Sequence, residues 1–192
     1  IALRKEGFAV NHKRVYRIMK KLEIQSVIRK KRTYFGGRSG NVFPDLLKRN
    51  FRSCTPRERF VTDITYIQHL TGFIYLSAIQ DLYNNEIVAY TFSYKNNLDL
   101  VFATLKELPM NTNAILHSDQ GFQYIHKSYQ LELESLGIRG SHSRKGNCLD
   151  NACMESFFSH LKTEIFSCNP VLNAQDTMRL VEEYIHFYNT ER

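Results

Sequence analysis

Apolar residues recur at two different spacings along this chain. Between Asn11 and Leu22 they fall at Val15, Ile18, Met19 and Leu22, the i, i+3, i+4, i+7 spacing of one helical face, and the rest of the segment is almost wholly basic. Asn11 is the expected N-cap, and Gly7 is expected to close an earlier helix ending in Ala2-Leu3-Arg4-Lys5-Glu6. From residue 59 onward β-branched and aromatic residues take over. Residues 59–68 and 73–82 read as strands joined by His69-Leu70-Thr71-Gly72, and residues 86–94 as a third strand after the turn Asn84-Asn85. A helix is predicted over 99–108, stopped by Pro109, and a short strand over Ala114–His117, apolar enough to be buried on both faces. Residues 127–136 read as a helix closed by Gly137, and residues 138–141 as a fifth strand. Residues 150–167 and 173–189 read as two last helices with Pro170 between them.

Three meandering strands, then helix and strand in alternation, then two terminal helices predict an α/β fold. The expected architecture is a mixed five-stranded sheet of the ribonuclease-H type, flanked by helices and preceded by a short basic helical segment. In such a sheet the first and fourth strands lie side by side, which would bring Asp63 and Asp119 to one rim. Three regions are expected: residues 1–29, a partial helix-turn-helix-like segment; residues 30–56, a basic linker; and residues 57–192, the core. The linker carries Lys30-Lys31-Arg32, Gly36-Gly37, Gly40 and Pro44 and little periodicity. The first region fits half of a helix-turn-helix unit, or an ordinary amphipathic helix pair.

With 192 residues, 43% of them hydrophobic, the chain can bury a substantial core. No apolar run approaches the ~18 residues of a membrane span, and Ile1–Glu6 lacks the apolar region of a signal peptide. Ile1 stands where an initiator Met would be, which suggests a piece of a longer chain. Cys54, Cys148, Cys153 and Cys168 have no disulfide-framework spacing, which fits a reducing cytosol. Charge sharpens the picture. Residues 1–62 carry 17 Lys/Arg against 4 Asp/Glu, and residues 63–192 carry 9 against 15, within a net charge of +7. A basic first third joined to an acidic remainder suits a polyanion-binding arm on a metal-dependent core, although a single charge run more often marks a solvated surface.

Three acids are the candidate chemistry. Asp63 interrupts the strand-like run Phe60–Ile67, where an aspartate is disfavoured and costly to bury unless paired or bound to metal. Asp119 ends the strand before Gln120-Gly121, where it also suits a turn. Glu155 lies on a flank of the helical stripe Met154, Phe157, Phe158, Leu161 and Ile165, where it also suits a plain surface acid. Lys162, two turns on, shares that flank and is expected to hold a phosphate. Two strand carboxylates and one helix carboxylate suggest a cage for hard divalent cations, as phosphodiester chemistry needs. Asp81 is assigned to turn chemistry. His142, Cys148, Cys153 and His160 lack the paired spacing of a zinc site, no Gly-rich phosphate loop occurs, and no Arg/His cluster activates any of the 11 tyrosines.

The motifs His117-Ser118-Asp119-Gln120-Gly121-Phe122-Gln123-Tyr124 and Ser143–Phe158 closely resemble the integrase-core transposases of bacterial insertion sequences. Val61–Ile67 is similar to that family's first-strand motif and Glu183–Asn189 to its closing helix. The best subgroup is the second reading-frame product of the insertion sequence 3 family. Phe60 and Phe73 stand where the family often has Trp. The resemblance implies a retroviral-integrase-like fold with Asp63, Asp119 and Glu155 as catalytic and metal-binding triad. It implies two Mg²⁺ or Mn²⁺ ions, and cleavage and strand transfer at the element's terminal repeats and in target DNA. The resemblance also implies a homodimer or higher oligomer on DNA, because two ends are handled together in that family. Lys13, Arg14, Arg17, Arg144, Lys145 and Lys162 are the expected DNA contacts. A non-catalytic DNA-binding regulator of transposition, or a nuclease for RNA–DNA hybrids on the same fold, are the competing expectations.

Overall fold

The structure is a computed structural model that describes residues 6–24, 42–108, 113–144, 151–166 and 172–192. The chain divides into two compact units, residues 1–36 and 37–192. In the first, α1 (His12–Lys21) starts at Asn11, whose side chain accepts the Lys13 N–H at 2.9 Å, and ends on Lys20 and Lys21, which complement the helix dipole. Gly7 adopts φ +84°. The earlier helix expected over Ala2–Glu6 falls mostly on residues 1–5, outside the described residues.

The second unit holds β1 (Arg59–His69), β2 (Gly72–Asp81), β3 (Ile87–Ser93), α2 (Leu98–Glu107), β4 (Ile115–Ser118), α3 (Lys127–Ser135), β5 (Arg139–His142), α4 (Ala152–Phe166) and α5 (Ala174–Thr190). Each predicted element is present, within two residues of its expected bounds where described. The five strands form one mixed sheet in the order β3-β2-β1-β4-β5. β1 and β2 pair antiparallel through the two-residue turn Leu70-Thr71, and β1 and β4 pair parallel.

Alternation along β1 sends neighbouring side chains to opposite faces. Phe60 and Ile64 join the core built with Val101 and Leu105 of α2 and Tyr129 and Leu133 of α3. Val61 and Ile67 join the other core, with Met154, Phe157 and Leu161 of α4 and Val181 and Ile185 of α5. All five residues of the stripe expected on α4 are buried, which fixes the helix's rotation and so the flank that carries Glu155. Asn189 of α5 clamps the edge strand β3: its side chain accepts the Ile87 N–H at 2.9 Å and donates to the Ile87 carbonyl at 3.0 Å.

Of the stretch expected as a linker, residues 30–41 lie outside the described residues, while residues 42–56 carry contacts with the sheet. Leu47 is buried at 2% exposure. The Phe43 N–H donates to His142 Nδ1 and the Leu46 N–H to Ser141 Oγ, each at 2.9 Å. These bonds bring the Phe43 ring onto Gly140 of β5, leaving no room for a β-carbon there. Gly140→Ala should therefore displace this segment and destabilise the core by about 1–3 kcal/mol. A urea midpoint equal to that of the parent would contradict the packing.

Candidate functional site

Asp63 lies in the strand at the centre of the sheet's strand order, and Asp119 directly after the strand beside it. Val61 of β1 pairs with His117 of β4, and each acid follows two residues further on. By alternation both sit on the face covered by α4, the helix that carries Glu155. β4 pairing stops there, so among the described residues β1 from Asp63 to His69 has no strand neighbour on that side.

The electrostatics follow from this placement. Burial pushes the Asp63 carboxyl up to about 7, and the negative charges of Asp119 and Glu155 push the same way. The Ile64 N–H, donating to Asp63 Oδ1 at 2.8 Å, and the charge of Lys162 pull it down without overcoming them. Asp119 keeps open surface at the strand end, yet burial of its carboxyl raises it too, against the pull of the Gly121 N–H donated at 2.7 Å and the charge of His117. Glu155 is exposed. Asp63 thus lies within electrostatic reach of both other acids. Among the described residues, however, no three His, Cys, Asp or Glu side chains stand close enough together to hold one ion.

Lys162 is half-buried, with Nζ 4.6 Å from the centroid of the Tyr66 ring. Burial disfavours its charge and Asp63 restores part of it. Arg144 is exposed just after β5, and Lys145 lies outside the described residues. Lys13, Arg14 and Arg17 project from α1 and are exposed. Asp81 is buried and accepts the Arg57 N–H at 2.7 Å and the Tyr83 N–H at 2.9 Å, which is turn chemistry as expected. His160 lies 3.6 Å from Glu164 on the surface of α4, and half-buried Cys153 packs against the core.

Two neighbours of the acids were not singled out individually from sequence. Asn151, buried at the start of α4, donates from Nδ2 to the Thr62 carbonyl at 3.2 Å, tying the residue before Asp63 to the helix of Glu155. Its position in the Asn151-Ala152 step that opens the helix was the available signal. His117, inside a strand read as fully apolar, is buried and bonds Ser141 Oγ at 2.8 Å and Ser143 Oγ at 3.2 Å. A histidine in an otherwise apolar four-residue strand signals such a buried polar network.

Comparison with known proteins places these features in context. Residues 55–148 match an integrase core domain, residues 136–192 match a second description of an integrase core domain, and residues 1–32 match an HTH-like domain. The putative transposase InsK for insertion sequence element IS150 of Escherichia coli strain K12 is 40% identical, over 100% of this chain and 70% of its own length. Transposase InsF for insertion sequence IS3A, from the same organism, is 30% identical over 95% of this chain and 66% of its own length. Among solved structures, the HTLV-2 integrase catalytic core domain in complex with magnesium shares the fold. Its TM-score is 0.54 at 14% identity, over 73% of this chain and 92% of that one. The sheet order and flanking helices give the ribonuclease-H-like fold that the sequence pattern predicts, shared with retroviral integrase cores as the family resemblance implies. No helix among the described residues is long and apolar enough to cross a membrane.

Proposed function

Since the chain belongs to the bacterial insertion-sequence transposases that carry an integrase core domain, we propose that it cuts DNA at the ends of a mobile element and joins those ends to new DNA. The proposed reaction depends on divalent metal and on Asp63, Asp119 and Glu155. The observation that carries this reading is the pair of strand carboxylates, both raised from the ordinary carboxylate value, beside the stretch of β1 that has no described strand neighbour and under the helix of Glu155. Buried carboxylates, one of them also raised by its acidic neighbours, are relieved by a cation, and hard oxygen donors suit Mg²⁺ or Mn²⁺. Asp63 and Asp119 would hold the metal from the sheet and Glu155 from the helix, with two ions the number proposed. A bound ion supplies charge that activates the attacking hydroxyl and stabilises the leaving 3′-oxygen.

The chain's own residues supply the rest. Lys162 holds a backbone phosphate, Arg144 and Lys145 contact DNA, and Lys13, Arg14 and Arg17 engage the element's terminal repeats. In this reading residues 1–29 recognise DNA, residues 30–56 form a basic connection whose second half packs on the sheet, and residues 57–192 carry the chemistry. Two ends must be processed together, so the working unit is a homodimer or larger assembly on DNA, acting in the cytoplasm on the nucleoid.

A non-catalytic, DNA-binding regulator is the second reading, and the absence of a tight three-acid cluster among the described residues favours it. One measurement separates them. A duplex carrying the element's terminal repeat should be nicked in Mg²⁺ and left intact in chelator; binding of that duplex with no nicking at any divalent-ion concentration would leave the regulator.

A further inference from the structure

We propose that Tyr66, Phe73 and Lys162 form a subsite for an unpaired nucleobase and its adjoining phosphate, at the edge of β1 past the end of β4, beside Asp63. The inference rests on the DNA-handling role proposed above and names a contact that role does not supply. Tyr66 follows Ile64 on the sheet face that packs against α2 and α3, and Phe73, opposite Gln68, shares that face. On this face the hairpin end extends past the α2/α3 core, so Tyr66 is 59% and Phe73 49% exposed, while Ile67 and Ile74 on the other face stay buried. Their rings meet edge to face, with centroids 5.5 Å apart. Two large aromatics at this solvent-open end of the β1–β2 hairpin form a surface awaiting an aromatic ligand.

Lys162 identifies that ligand. It belongs to α4, on the opposite face from Tyr66, yet its ammonium stands 4.6 Å from the Tyr66 ring centre. Such a meeting is geometrically open past the end of β4, where no described strand lies beside β1 on that side. The same ammonium acts on Asp63. One cation therefore links the carboxylate site on one face to the aromatic pair on the other. A cation resting on an exposed ring is weakly held and moves readily to a phosphate oxygen. A DNA strand crossing that edge would place a phosphate on Lys162 and its base against Tyr66 and Phe73. Stacking of this kind accepts any base. A nucleotide carries the aromatic ring and the anion in one unit, which matches an aromatic pair with a cation resting on it.

The test compares a blunt duplex with the same duplex carrying a three-nucleotide single-stranded tail that contains 2-aminopurine, using the whole chain at fixed ionic strength. The tail should tighten wild-type binding about tenfold and quench the probe, as expected for stacking of one base. Tyr66→Leu with Phe73→Leu keeps the apolar area but should lose both effects, whereas Tyr66→Phe should keep them. Lys162→Gln should lower the slope of log affinity against log salt by about one. A tail without effect on the wild-type chain, or a leucine pair that retains the tail preference, overturns the subsite. A leucine pair that loses self-association with tail preference unchanged also overturns it and assigns the patch to a second copy of the chain. If the wild-type chain binds neither duplex, the DNA-handling reading itself falls.

Discussion

Asp119→Asn is expected to lower metal-dependent DNA cleavage by about a thousandfold or more, the several kcal/mol that an oriented divalent ion contributes to such a reaction. The change is nearly isosteric. Asn Oδ1 can still accept the Gly121 N–H that now bonds Asp119 Oδ1 at 2.7 Å, so the turn after β4 should keep its shape. What disappears is one of the two negative charges that follow in step along β1 and β4. The folded core should therefore melt at or slightly above the parent temperature, because a carboxyl raised by its surroundings is itself a source of strain. Binding of duplex DNA should persist, since the basic arm is untouched. Single-turnover cleavage of terminal-repeat duplex, followed over a Mg²⁺ and Mn²⁺ series, is the measurement. Cleavage within tenfold of the parent at any metal concentration would remove Asp119 from the chemistry.

The sheet was legible because its strands announce themselves locally. β1 and β2 carry β-branched and aromatic runs split by a polar turn, and β4 is a short apolar run that only a central position can bury on both sides. The rotation of α4 was legible for the same reason: Met154, Phe157, Phe158, Leu161 and Ile165 recur at helical spacing, and every one is buried. Asp63 stood out as a polar residue in a run that otherwise wants burial. Each of these signals lies within about a dozen residues of chain.

What was hidden depends on partners distant in sequence. The segment from residue 42 reads as a linker because its composition is irregular, yet Phe43 and Leu46 bond to His142 and Ser141, 99 and 95 residues away. Asn151 sits in an ordinary helix-opening position, and only the closeness of Thr62 makes it a tie between the two halves of the site. Tyr66 and Phe73 look like routine strand aromatics. Their exposure, and the arrival of Lys162 from the other face, follow from where β4 stops, a fact of topology absent from local pattern.

Asp63→Asn should stabilise the metal-free protein at pH 8 while abolishing cleavage. In the unfolded chain this carboxyl loses its proton near pH 3.8, whereas in the fold it holds the proton up to about pH 7. Between those values the folded state binds more protons than the unfolded state, so stability falls as pH rises through the window and levels off above it. At about 1.4 kcal/mol per pH unit the full window corresponds to about 4 kcal/mol, and the residual exposure of Asp63 reduces this to roughly 2–3 kcal/mol. Asparagine can still accept the Ile64 N–H but carries no charge to desolvate. The variant's melting temperature should therefore match the parent's near pH 4, pull ahead as pH rises, and lead by about 5–10 °C at pH 8. Magnesium should reverse the order by binding the parent's ionised carboxylates and raising its melting temperature, with little effect on the variant. A melting temperature at pH 8 equal to or below the parent's, measured in chelator, would mean that Asp63 is not held in the desolvated, acid-crowded setting on which the proposed metal site depends.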